Sequence, residues 1–265
     1  MLRKISIAAC LFVAVGCSTV PVTGRRQLDL VPNSQMLSMS FSEYEKFKSE
    51  NRLSSDAANT AMVKRVGQRI QQAVETYMRQ NNMANDLDGF QWEFNLVDNP
   101  EPNAWAMPGG KTMVYSGILQ YTQNETGLAV VMGHEIAHAI AKHGNERMSQ
   151  GLAQQLGGVA LDVALSQKPA QTRNLFLTSY GVGSGLGLLK YGRTQESEAD
   201  HLGLIFMAMA GYDPQQSIAF WERMAAAKGA GGAPPEFLST HPSDATRIAD
   251  LRRLMPEAMK YYKPR

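Results

Sequence analysis

The sequence predicts an α+β fold dominated by helices, with one small β-sheet. Three observations carry that prediction. Apolar residues recur at helical spacing, as in Ala58, Met62, Val66, Ile70, Val74 and Tyr77. Strict alternation is confined to short stretches, the clearest being Phe90, Trp92, Phe94 and Leu96. Pro108-Gly109-Gly110 separates two short extended runs, which reads as strand, turn, strand.

The chain opens with Arg3 and Lys4, followed by an apolar run over 5–15. That run is too short to span a bilayer as a helix and has the form of a secretory signal. It ends in Ala14-Val15-Gly16-Cys17, which resembles a bacterial lipobox, so residues 1–16 are expected to be removed and Cys17 lipidated. An ordinary signal peptide cut nearby is the alternative. Cys10 and Cys17 are the two cysteines of the sequence, so the processed chain would form no internal disulfide. Ser18 stands where an Asp would resemble an inner-membrane retention signal. The expectation is therefore a periplasmic body anchored by lipid to the outer membrane of a diderm bacterium. Residues 17–32 read as lipidated N-terminus and tether, with a brief strand at 25–31. Residues 33–265 read as a single domain, long enough to bury its own core.

The formal net charge of +2 includes Arg3 and Lys4; without them 24 basic residues face 24 acidic ones. No nucleic-acid partner is expected from that balance. Helices are expected at 33–49 and 55–80, a turn at 81–89, and strands at 90–96, 103–107 and 111–115. Thr122-Gln123-Asn124-Glu125 has a capping-box pattern, predicting a helix from there to about His143. Gly144 would stop it, with Lys142 and His143 as cations at its C-terminal dipole. A helix at 195–210 ends at Gly211, 228–235 is rich in glycine and proline, and 244–254 reads as a last amphipathic helix. The segment 151–189 is glycine-rich and apolar; a mobile plug over a cleft and a packed helical hairpin both fit it.

Within the 122–143 helix lies His134-Glu135-Ile136-Ala137-His138. Residues i and i+4 share a helix face, so both imidazoles can reach one Zn²⁺. Glu135 projects to the side, where it can take a proton from an activated water. A catalytic zinc usually has three protein ligands, and Glu196-Ser197-Glu198-Ala199-Asp200 offers carboxylates. Glu196 and Asp200 share a face with Ala199 and Gly203, whose small size would let the two helices approach closely. Spacing does not settle which carboxylate binds, but it favours Glu196 as the ligand and Asp200 as acceptor for a ligand histidine's free N–H. Glu198 falls on the stripe of Leu202, Ile205 and Met209 and reads as structural.

HEIAH followed by E-x-E-A-D resembles the zinc metallopeptidases related to the CAAX prenyl protease, a family that includes HtpX and the Oma-type, BepA and LoiP proteases. Further segments share the resemblance: Pro21–Leu28 with the N-terminal segment of lipoprotein members, Asn103-Ala104-Trp105-Ala106-Met107-Pro108-Gly109-Gly110 with a segment beside the active site, and His241-Pro242 with a late His-Pro element. The resemblance implies a zincin-like domain whose small sheet has its edge strand flanking the active site. His134, His138 and Glu196 would bind zinc, Glu135 would be the general base, and Asn103 and Ala104 would align an extended peptide. We read His241 as a candidate transition-state donor, with a fourth ligand that closes the site and a structural histidine before Pro242 as the alternatives. Unfolded or misassembled envelope proteins are the substrates the resemblance implies. A chaperone-like assembly factor with a structural zinc site is the rival reading.

Overall fold

A computed structural model describes residues 16–155, 166–182, 191–228, 237–238, 241 and 245–264. The body of the expected signal peptide, most of 228–235, Pro242 and much of 151–189 fall outside these residues. Within them the fold is helix-dominated α+β, with a two-stranded and a three-stranded sheet.

The chain enters through an antiparallel hairpin, β1 (Cys17–Thr19) and β2 (Arg26–Leu28). The expected tether is thus packed against the domain. Val20 and Val31 are buried, Gln27 Nε2 donates to the Ala141 carbonyl at 2.7 Å, and the Leu30 N–H donates to Ser149 Oγ. Its apolar residues need cover, and the body supplies it.

Two helices follow, α1 (Asn33–Glu50) and α2 (Ala57–Gln80), the second capped by Asp56 accepting from the Asn59 N–H. The main sheet comprises β3 (Glu93–Val97), β4 (Ala104–Met107) and β5 (Lys111–Tyr115), in the order β3-β5-β4. β5 runs parallel to β3 and antiparallel to β4, leaving β4 at an edge. Gly109 and Gly110 turn the chain at φ 79° and 81°, and a Cβ on either would strike the rings of Phe41 or Trp92. The expected strand from Phe90 starts only at Glu93, because Phe90 and Trp92 pack half-buried beside the core. Val97, Trp105, Met107 and Met113 form one apolar layer with Met36 and Tyr44 of α1, while Phe94, Leu96, Ala104, Ala106 and Val114 belong to the core that includes α2.

After the short α3 (Leu119–Thr122) comes α4 (Glu125–Ile140), buried on all sides from Gly127 onward. Its cap is Asn124, whose side chain accepts from the Gly127 N–H; Thr122 belongs to the preceding turn. α4 also ends earlier than the sequence implies. Lys142 takes a positive φ of 58°, and a new helix, α5 (His143–Gln155), starts at once. Gly144 lies in that helix's first turn, where a Cβ would meet the Tyr180 ring at 2.2 Å. The remaining helices are α6 (Pro169–Ser179), α7 (Arg193–Met209), α8 (Gln216–Lys228) and α9 (Ala245–Tyr261). α9 continues past Leu254 and through Pro256, with Ala258 buried and Tyr261 edge-on to Tyr77. α4 and α7 approach through Gly133 and Gly203: a Cβ on Gly203 would lie 3.1 Å from the backbone of Gly133 and His134. That approach positions the site. Among the described residues, no helix is long and apolar enough to cross a membrane.

Candidate metal centre and active site

His134, His138, Glu196 and His241 each bring a ligand atom to one buried place, all within 4.8 Å of one another. α4 supplies both helical histidines on one face, the first turn of α7 supplies Glu196, and His241 precedes α9. His134 Nε2 lies 3.0 Å from His138 Nε2 and 3.1 Å from His241 Nδ1. The Glu196 oxygens are 3.4 Å from His138 Nε2, 3.6 Å from His134 Nε2 and 2.9 Å from His241 Nδ1.

The neighbours of these rings fix where the protons sit; the tautomers are assigned from the hydrogen-bond network. Asp200 Oδ1 lies 3.0 Å from His134 Nδ1, which makes that nitrogen the N–H and leaves Nε2 bare. Arg247 Nη2 is 3.2 and 3.4 Å from the two nitrogens of the same ring. Near-equal distances to both nitrogens cannot align on one lone pair, so the carboxylate decides the tautomer. His143 Nε2 faces Glu198 Oε2 at 3.0 Å and donates to it. His143 Nδ1 is then an acceptor, and at 2.9 Å it takes the N–H of His138 Nδ1, leaving His138 Nε2 bare. Two bare imidazole nitrogens 3.0 Å apart, with a carboxylate alongside, repel one another unless a cation lies between them. The donor set therefore fits a divalent metal favouring nitrogen and oxygen ligands.

Burial and charge tune the surrounding groups. Glu196 is held well below the usual carboxylate range: burial opposes this, but His241, Arg247 and His138 outweigh it. Burial lowers His134 and His138 well below the usual imidazole value and so keeps them neutral. His241 goes the other way, because the Glu135 and Glu196 carboxylates more than offset its burial. Burial raises Glu135 to about 7. Its Oε1 is buried with no hydrogen-bond partner and lies 3.4 Å from His241 Nε2. Glu198 is held at about 2, as hydrogen bonds from His143, Arg25 and Thr23 overcome its burial.

Several residues at the centre were not singled out from the sequence. Arg247 donates to Glu196 at 2.9 Å and to Asp200 at 2.6 Å, with its guanidinium 3.3 Å from the centroid of Trp221. Tyr191 stacks on His138 at 3.8 Å between centroids, and the Arg147 guanidinium sits 4.1 Å from the centre of the same tyrosine ring. His143, expected as a cation at a helix C-terminus, is instead fully buried at the start of α5. Burial lowers its pKa and it serves as hydrogen-bond partner to His138. Glu198 is ion-paired to Arg25.

Asn103 immediately precedes β4 and Ala104 begins it, both buried. The Asn103 carbonyl accepts from the Tyr115 N–H, so the pairing alternation turns the backbone of Ala104 and Ala106 away from β5. The Asn103 side chain occupies the Ala104 N–H at 2.8 Å, and the Phe237 N–H occupies the Pro102 carbonyl. Cys17, partly buried in β1, does not belong to the cluster.

The model of peptidase family M48 matches residues 64–255, which include both helical histidines, Glu196 and His241. The chain belongs to peptidase family M48. Among relatives of this M48 chain, the mitochondrial metalloendopeptidase OMA1 of Schizosaccharomyces pombe is 33% identical over 242 residues, covering 90% of this chain and 66% of that protein. Human OMA1 is 32% identical over 251 residues, 91% of this chain and 46% of its own length. The β-barrel assembly-enhancing protease of Escherichia coli K12 is 32% identical over 164 residues, 61% of this chain and 34% of that protein. The M48 chain thus spans from about a third to two thirds of the length of these relatives.

Proposed function

We propose that this protein is a zinc-dependent endopeptidase of the bacterial envelope, lipid-anchored at Cys17, which hydrolyses misfolded or misassembled envelope proteins. One observation carries the reading: the bare nitrogens of His134 and His138 and the Glu196 carboxylate converge, with Glu135 Oε1, which accepts no hydrogen bond among the described residues, beside them. Zinc held there by these residues, with or without His241, would supply Lewis-acid activation of water. Glu135 Oε1 takes the proton of the attacking water and returns it to the leaving amine. Asp200 orients His134 through Nδ1–H, and Arg247 braces Glu196. An extended peptide would pair with the Ala104 carbonyl and the outward backbone of Ala106, the Ala104 N–H being taken by Asn103 Oδ1; such pairing demands little of the peptide's sequence. A cavity of about 280 Å³ at the start of β4, bounded by Phe47, Asn103, Tyr115 and Leu177, offers room for a side chain of such a peptide. The sequence-based lipobox and a relative named for β-barrel assembly support the envelope location and substrate class.

Glu135→Gln should retain zinc and lose cleavage of unfolded casein. Full cleavage by the zinc-loaded variant would contradict the proposal. The rival reading, an assembly factor with a regulated or structural metal site, is favoured by one feature. His241 brings a fourth donor to the buried cluster and can complete a closed tetrahedral set. His241→Ala separates the roles: increased cleavage marks a closing ligand, decreased cleavage a transition-state donor, and no change a structural histidine.

A further inference from the structure

Arg25 lies before the segment matched by the family, in the turn between β1 and β2, yet it grips two carboxylates of the body. Its Nη1 and Nη2 bond the two oxygens of Glu146 at 2.7 and 2.8 Å. Its Nε and Nη2 bond Glu198 at 2.9 to 3.1 Å. Thr23 Oγ1 adds a bond to Glu198 Oε1 at 2.7 Å, and Gln195 Nε2 one to Glu146 at 2.6 Å. Glu146 belongs to the first turn of α5 and Glu198 to α7, so one guanidinium joins the hairpin to both helices.

The second carboxylate leads to the metal centre. Glu198 Oε2 accepts from His143 Nε2–H at 3.0 Å, and His143 Nδ1 accepts from His138 Nδ1–H at 2.9 Å. Such outer partners fix the ring orientation and tautomer of a ligand histidine. We infer that Arg25 is a positioning residue for the metal centre, acting through Glu198 and His143 to hold His138 with Nδ1 protonated and Nε2 turned bare toward Glu196. Without Arg25, Glu198 loses its guanidinium ion pair, keeps the weaker bonds from Thr23 and His143, and can be drawn away from His143 toward solvent. His143 then loses the acceptor that fixes its own tautomer, and both tautomers of His138 become populated. Only one of them offers a lone pair at Nε2. The hairpin is in this sense part of the centre. The inference concerns how His138 is oriented and rests on the reading of His138 as a ligand for its consequence on zinc.

Two measurements on the full processed chain test it. Long-range ¹H–¹⁵N imidazole spectra of the metal-free protein should show His138 as the Nδ1–H form in the wild type and a mixture in Arg25→Ala. Zinc affinity, read by competition with a chromogenic chelator, should fall in Arg25→Ala by less than the roughly 10–100-fold of a direct partner of a ligand histidine, and by less again in Arg25→Lys, which keeps one charge but not the fork. Arg65→Ala is the control: it removes an ion pair to Glu125 elsewhere and should leave zinc affinity unchanged. If Arg25→Ala fails to fold, Arg25→Lys with Thr23→Val carries both readouts. Unchanged zinc affinity and an unchanged His138 tautomer in the folded variants would overturn the inference. A wild type that binds no zinc but shows the predicted tautomer shift would overturn the metal reading and leave the relay standing.

Discussion

Removing the Asp200 carboxylate takes the acceptor from His134 Nδ1–H and removes a buried counterion of Arg247, leaving its bond to Glu196. Asp200→Ala is therefore expected to weaken zinc binding roughly 10–100-fold, measured by chelator competition. An unchanged affinity would mean that the contact does not orient His134. Helical spacing in the sequence puts His134 and His138 on one face and Glu196 and Asp200 on another, and the structure brings these side chains together; spacing by itself did not settle which carboxylate of 196–200 faces the histidines. Arg247 was not legible in the sequence, since a basic residue in an amphipathic helix reads as solvated. A signal was present all the same: Arg247 falls on the same stripe as Leu251, Leu254 and Ala258, all buried. His143 was misread because a basic residue near a supposed helix end looks like a dipole partner. It is buried because the chain restarts as α5 at that residue, and Gly144 leaves room for Tyr180. Tyr191 had no local signal; its role arises from stacking on His138 in three dimensions.

At the level of elements, the fit of α4 against α7 decides how the ligands meet. Gly203→Val would push side-chain atoms into the backbone of Gly133 and His134, which can yield only by separating the helices. A loss of about 1–3 kcal/mol is expected, read as a lowered thermal midpoint, together with weaker zinc binding. A variant with normal stability and affinity would show that the contact is not tight. The start of α4 is held differently. Glu125 binds Arg65 and Arg69 of α2 and accepts from the Tyr212 hydroxyl at 2.6 Å. The Arg65 bond foremost, aided by Tyr212, lowers its pKa against the effect of burial. A lowered folded-state pKa adds stability that is present above the unfolded value of about 4.3 and lost as pH falls below it. The wild-type thermal midpoint should therefore drop more between pH 7 and pH 3.5 than that of Glu125→Gln; equal drops would contradict the clamp. Most elements were readable from periodicity. The boundary between α4 and α5 was not, because Lys142 takes its left-handed turn without the glycine that usually marks one.

For the whole molecule, the hairpin at residues 17–28 changes the picture of a body on a loose tether. A lipid on Cys17 would place the membrane beside β1, on the segment that carries Arg25. Labelling with a radioactive fatty acid should mark the wild-type chain and be lost in Cys17→Ser, and equal labelling of both would refute lipidation there. Composition and spacing read the helix-dominated class correctly, but the return of residues 17–31 onto α4 and α5 depends on contacts distant in sequence, such as Gln27 with Ala141. Zinc dependence is tested by titrating zinc into chelator-stripped protein, with casein cleavage followed in the same sample. A zinc-dependent peptidase centre gives no cleavage without metal and a rise that levels off at one zinc per chain. Full cleavage by the stripped protein, or zinc-saturated wild type and His241→Ala proteins that both fail to cleave, would contradict it.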